Sequence, residues 1–227
     1  YRMNNLVKWQ CDFAATVISN REIIPNFFEL EIYFSSMTDD VIIQNIGFER
    51  LKYFMYELAQ TSVITSRHNK LLKNLIKNID SNIITLPTDP DDQVLLWCIF
   101  KKLRKILGAN FILQEMRLQS AVGEQVQYHY NGDTHGIEGL DDQWTDGKGT
   151  YDFWYNRGDL STYDDLISDK TGIKLYTGKQ TWSDLNLDWQ TEDEFVQKMK
   201  KDKKNKAKII KPKKFQIRVL DGKNGNR

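Results

Sequence analysis

The stretch YHYNGDTHGIEGLDDQWTDGKG, residues 128–149, sets two histidines and five carboxylates among five glycines. His129 and His135, with Asp133, Glu138, Asp141, Asp142 and Asp146, are the side-chain types that hold a divalent metal. A metal there would acidify a bound water and make it a nucleophile. The spacing argues against that chemistry, because metal sites need converging ligands oriented by further partners. The nearest alignment to a calcium loop starts at Asp142 and puts Asp146 and Gly147 at the fifth and sixth positions. It then places Trp144 at the third position and Phe153 at the twelfth, where a bidentate glutamate belongs. Neither H-E-x-x-H nor H-x-E…P-C-x-x-C occurs. The stretch reads as a solvated acidic loop, and no catalytic, cofactor-binding or metal residue is assigned. The alternative reading is a metal-dependent enzyme acting on nucleic acid through His129, His135 and these aspartates.

Other chemistry finds little support. His68 lies in the polar turn TSRHNK without a nucleophile motif beside it, and no G-x-S-x-G elbow, P-loop or dinucleotide fingerprint is present. Asp89, Asp91 and Asp92 could divide acid–base work if their surroundings drove their pKa values apart. Their place at the head of a helical pattern gives them a structural role instead. Asp89 fits an N-cap, Pro90 the first helical position, and Asp91 and Asp92 the negative first turn. Lys101, Lys102, Arg104 and Lys105 crowd the opposite end, where they offset the helix dipole, and Gly108 fits the stop signal. A helix is predicted over 90–107.

The elements around this helix suggest an α+β core domain over residues 1–120, with two or three helices on a mainly antiparallel sheet. LVKWQCDFAATVIS and NFFELEIYFSSM read as strands. In the second, Phe28, Leu30, Ile32 and Phe34 alternate with Glu29, Glu31 and Tyr33, the period of a strand with one wet face. VIIQNI reads as a third strand, GFERLKYFMYELAQ (47–60) as a helix, and TSVIT as a short apolar link. HNKLLKNLIKNID reads as a helix, and NIITLP and NFILQEMRLQSA as further strands. Beyond Ala121 aliphatic runs vanish. Only VQYHY (a strand), TYDDLI (a short helix) and TEDEFVQKMKKDKK (a helix from 192 to about 204, capped by Thr191 and Glu194) suggest regular structure.

Charge divides the chain further. Residues 1–120 carry 14 basic and 13 acidic side chains, residues 121–197 carry 5 and 16, and residues 198–227 carry 13 and 2. The middle block is −11 and the tail +11, and one-sign blocks are interaction surfaces more often than core. The middle block also holds four of the six tryptophans, Trp144, Trp154, Trp182 and Trp189. With Asp141, Asp142 and Asp146 these form an expected acidic, aromatic, loop-dominated partner-binding segment. In the tail, Lys200, Lys201, Lys203, Lys204, Lys206, Lys208, Lys211, Lys213 and Lys214 form a second expected partner surface. It suits nucleic-acid phosphates or an acidic face of this chain or another copy. KFQIRVL after them alternates like a strand that could join another sheet. Cys11 and Cys98 lie far apart in apolar stretches and read as buried thiols of a reducing compartment. No apolar run approaches the roughly 20 residues that span a bilayer, and no signal peptide is evident. The chain begins at Tyr1 rather than Met, so the sequence leaves open whether residues precede it.

Around residues 82–106, NIITLPTDPDDQVLLWCIFKKLRKI resembles proteins of T4-like tailed phages. These share a Leu-Pro-x-x-Pro-x-Asp-Gln core and a helix bearing Lys-Leu-x-x-Ile. The matching positions are Leu86, Pro87, Pro90, Asp92, Gln93, Lys102, Leu103 and Ile106. No activity comes with the resemblance. It implies a phage setting, virion or host cytoplasm, and favours a virion component, a packaging or replication accessory, or a host-takeover factor over a metabolic enzyme. The expectation is a non-enzymatic assembly protein of a phage-like particle or nucleoprotein complex, without cofactors. Its partners would be other subunits, further copies of itself, or nucleic acid at the tail. A phage regulator that binds a host protein is a further alternative.

Overall fold

The computed structural model describes residues 6–19, 22–108, 111–124, 126–133, 143–145, 150–169, 172–176 and 182. Strands β1 (Leu6–Ile18) and β2 (Ile23–Ser36) form a long antiparallel hairpin, with Leu6 opposite Ser35 and Ile18 opposite Ile23. Cys11, Phe13 and Ala15 on β1 and Phe28, Leu30, Ile32 and Phe34 on β2 are buried, while Lys8, Gln10, Asp12 and Glu29 between them are exposed. A two-residue period thus gives the hairpin one apolar face and one wet face. β3 (Ser62–Ser66) and β4 (Ile83–Leu86) extend the sheet in parallel beyond β1. β5 (Phe111–Ser120) and β6 (Gln127–Tyr130) extend it antiparallel beyond β2. The order is β4-β3-β1-β2-β5-β6.

Three helices accompany the sheet: α1 (Val41–Tyr53), which runs into a π-helical turn over Phe54–Ala59, α2 (Leu72–Asn78) and α3 (Asp92–Leu107). α1 and α3 cover the apolar face, where Leu51, Phe54, Leu96, Ile99 and Leu103 join the strand side chains in one core. On the other face Leu72 of α2 packs with Ile18, Val63 and Ile83. Two short ribbons follow, β7 (Gln143–Thr145) with β8 (Thr150–Asp152) and β9 (Asp165–Asp169) with β10 (Gly172–Tyr176). Among the described residues the fold is α+β, with three α-helices and a mainly antiparallel six-stranded sheet. Among the described residues no helix is long and apolar enough to cross a membrane. Cys11 and Cys98 are buried free thiols, and burial pushes Cys11 up to about 12.

Several elements differ from the sequence expectations. VIIQNI begins α1 rather than a strand: the Gln44 amide donates to Asp40 O and starts the helical ladder, leaving Val41 exposed and Ile46 buried. TSVIT is no link: Ser62–Ser66 is a strand whose five residues are all buried. A strand covered on both faces loses the alternation that identifies it. The TYDDLI region contributes β9 instead of a helix. The cap of α3 is Asp91, two residues later than expected. Its backbone is extended, and its Oδ1 accepts from the amides of Gln93 (2.8 Å) and Val94 (3.4 Å). Pro90 therefore precedes the cap, holding Asp89 away from helical geometry. At the far end Gly108 has φ +56°, a backbone conformation that glycine adopts without strain.

The expected boundary at residue 120 does not mark the end of the core. Phe153, Trp154, Tyr155 and Leu160 belong to the same apolar cluster as the sheet and helices. Residues 153–162 form a strap along the outer edge of β4. The Trp154 indole N–H donates to Thr85 O (2.7 Å), Thr85 N–H to Thr162 O (3.1 Å), and the Thr162 hydroxyl to Ile83 O (2.7 Å). An exposed strand edge invites pairing with another chain; here the strap occupies it.

Replacing a side-chain N-cap costs about 1 kcal/mol, or about 2–4 °C in a domain of this size. Asp91→Ala should lower the melting temperature by that amount, with Asp89→Ala changing it less. A larger loss at Asp89, followed by differential scanning fluorimetry, would return the cap to the earlier residue.

Candidate functional site

His129 of β6 lies on the wet face of the sheet, where its Nδ1 is 3.3 Å from Glu115 Oε1. It ends a ladder crossing four strands. Lys8 pairs with Glu31, Arg117 lies near Glu31 (3.7 Å) and bonds Glu115 (2.6 Å), and the Tyr33 hydroxyl donates to Glu31 (2.8 Å). The Arg117 guanidinium holds Glu115 below the ordinary carboxylate range, and the Lys8 ammonium does the same for Glu31. His129 is thus engaged on the sheet face. His135, Glu138, Asp141, Asp142 and Asp146 lie outside the described residues, and among the described residues no group of three metal-ligating side chains converges.

The strap contains the polar network that the sequence did not reveal. Lys102, within α3, is 0 % exposed. Its ammonium donates to Trp154 O and Asp159 Oδ1, both at 3.1 Å, and lies 3.5 Å from the Ser161 hydroxyl. Arg157 supports the arrangement, with Nε 3.3 Å from Asp159 Oδ2 and Nη1 2.9 Å from Asp164 Oδ1. Asp164 also accepts from the Trp154 amide (3.1 Å). Burial lowers Lys102 to about 8, against the pull of Asp159, while the Lys102 charge holds Asp159 below its ordinary value despite desolvation. Burial raises Asp164 in spite of Arg157. Lys102 is therefore an internal tie rather than a solvated dipole-compensating charge. The signal was its position: three residues after Ile99 and four before Ile106, on the buried stripe of the helix.

Lys101, Arg104 and Lys105 do reach the surface side of α3, where they border a cleft of about 850 Å³. Phe111, Ile112 and Leu113 at the start of β5 also line it, together with Asn131, Gly132 and Asn156. β6 pairs with β5 only over Met116–Gln119. Along Phe111–Glu115 the outer edge of β5 has no strand partner among the described residues, and Ile112 is 46 % exposed. Gly132 has φ +89°, a backbone conformation that favours glycine, and it lies beside the Phe100 ring. Lys101 lies over the Trp97 ring, 4.4 Å from its centroid. On the strap side, a Cβ at Gly158 would lie 3.3 Å from Lys105 O, so strap and helix end are in close contact. A part-open strand edge beside three cations can accept main-chain hydrogen bonds and negative charge together.

The sequence-selected partner residues separate. Trp154 is fully buried, with its N–H bonded inside the chain, and is corrected from a surface anchor to a core residue. Trp182 is half-buried. Its N–H donates to Gly158 O (2.7 Å), Arg50 lies over its ring, and Tyr53 meets it edge-on. Trp144 falls in β7. Trp189, Asp141, Asp142, Asp146 and the tail lysines Lys200, Lys201, Lys203, Lys204, Lys206, Lys208, Lys211, Lys213 and Lys214 lie outside the described residues, as does the expected helix over 192–204.

Comparison with known proteins finds no matching family model and no matching curated sequence.

Removing one member of a buried ion pair strands the other, at a cost on the order of 3 kcal/mol. Asp159→Ala should therefore destabilise the protein, and the loss should depend on pH. Without Asp159 the folded-state pKa of Lys102 falls below its present value of about 8. Between those two values the wild-type folded state binds more protons than the variant, so raising pH erodes the wild-type advantage. Urea unfolding should show the largest difference below pH 7 and a smaller one above pH 9. A difference independent of pH would mean that Lys102 is not the group involved.

Proposed function

We propose that this chain is a non-enzymatic assembly protein, which joins copies of itself or other subunits by seating an acidic segment of one chain in the basic cleft of the next. The observation that carries this reading is the pairing of an incompletely covered β5 edge with Lys101, Arg104 and Lys105. The same chain holds a complementary −11 block at 121–197. Main-chain pairing along Phe111–Glu115 supplies affinity, and the cations select carboxylate-rich strands over apolar ones. Asp141, Asp142 and Asp146, with Trp144 and Trp189, are the side chains we assign to the incoming segment. The lysine-rich tail adds a second positive surface for the same acidic block. The resemblance around Leu86–Ile106 supports a tailed-phage particle or nucleoprotein complex as the setting.

Sedimentation velocity on the full chain tests this. Self-association should rise with concentration and weaken as added salt shortens the Debye length below about 10 Å. Reversing two charges with Arg104→Glu and Lys105→Glu should weaken it about tenfold, at roughly 0.7 kcal/mol for each lost contact. Deleting residues 198–227 should weaken it further. Association that ignores the charge reversals, or reversals that abolish only nucleic-acid binding, would refute the proposal.

A further inference from the structure

A second cleft, of about 250 Å³, opens at the other end of α3, where nothing in the assembly reading requires one. It lies outside the carboxyl ends of the parallel strands β1, β3 and β4 and beside the first turn of α3, with Val17, Ile64 and Leu86 among its walls. Ligands of open sheets that contain parallel strands enter at this end. The inner wall is apolar, with Phe28 and Leu95 buried, whereas Glu22 and Val122 are exposed at the mouth.

Its charged side chains share one sign. Glu22, Asp91 and Asp92 line the cleft, and no Lys, Arg or His is among its described lining residues. Asp91 is engaged as the helix cap. Asp92 is half-buried; its Oδ2 accepts from the Ser120 hydroxyl at 2.6 Å, and its Oδ1 has no hydrogen-bond partner among the described residues. A Cβ at residue 123 would lie 2.8 Å from that Oδ2, so Gly123 leaves room for the carboxylate. The Tyr128 ring forms part of the wall, a surface suited to a cation.

We propose that this cleft binds a small primary amine with an apolar body, its ammonium on Asp92 and its hydrocarbon part against Phe28 and Leu95. Burial already raises the Asp92 pKa, which is the penalty that a bound cation would relieve.

The test uses the full chain and three probes of one shape: benzylamine, benzyl alcohol and benzoate. Titration monitored by heteronuclear NMR should show benzylamine shifting the amides of Ser120, Gly123 and Tyr128. Benzyl alcohol should bind at least tenfold more weakly, and benzoate should leave those amides unchanged. Asp92→Asn should weaken benzylamine at least tenfold. The three-probe comparison needs only wild-type protein, so it holds even if that variant fails to fold. Equal binding of benzylamine and benzyl alcohol, or no shift at these amides with any probe, would overturn the proposal.

Discussion

The ammonium of Lys102 is the contact on which the arrangement turns. It sits on the buried face of α3 and reaches Trp154 O and Asp159 from there. Those two bonds hold the strap of residues 153–162 against the helix, and the strap then satisfies Ile83 O, Thr85 N–H and Thr85 O on the outer edge of β4. A buried cation is expensive, and two carboxylates with an intervening arginine offset that cost only while the strap stays in place. The network ties the fit of the strap to its own charge balance.

The two edges of the sheet are treated differently as a result. At β4 each of the main-chain groups just named has a partner within the chain. At β5 the first five residues have no strand partner on their outer side among the described residues, and cations from the last turns of α3 stand beside them. Sheets cover or charge an edge to prevent indiscriminate pairing. Positive charge at this edge repels basic strands and leaves acidic ones admissible, which makes it selective. The same helix therefore contributes to closing one edge through Lys102 and places the positive charges of Lys101, Arg104 and Lys105 beside the other.

Much of this fold was legible in the sequence because its signals are local. The alternation of Phe28, Leu30, Ile32 and Phe34 reports β2, and the opposed charges at the ends of residues 92–107 report α3. The misplaced cap shows the limit of such signals. The run TDPDD offers three aspartates, and only the backbone geometry at Asp91 selects among them. The strap was not legible, because its partners lie far away in sequence: Trp154 bonds to Thr85, and Lys102 to Asp159. Tryptophans among aspartates and glycines resemble an exposed interface until their N–H groups are traced. The β5 edge was hidden for a similar reason. NFILQEMRLQSA reads as one uniform strand, and only the short reach of β6 leaves its first half uncovered.

Zero-length cross-linking tests whether, as we propose, an acidic segment of one copy occupies the basic cleft of another. Isotopically heavy and light full-length chains would be mixed and treated with a carbodiimide, which joins carboxylates to amines in contact. Mass spectrometry should then find mixed heavy–light cross-links between Lys101 or Lys105 and the acidic residues Glu138, Asp141, Asp142 or Asp146. Cross-links at these lysines confined to chains of a single isotope, or their absence under conditions where the protein self-associates, would rule out docking of one copy's acidic segment in another's cleft.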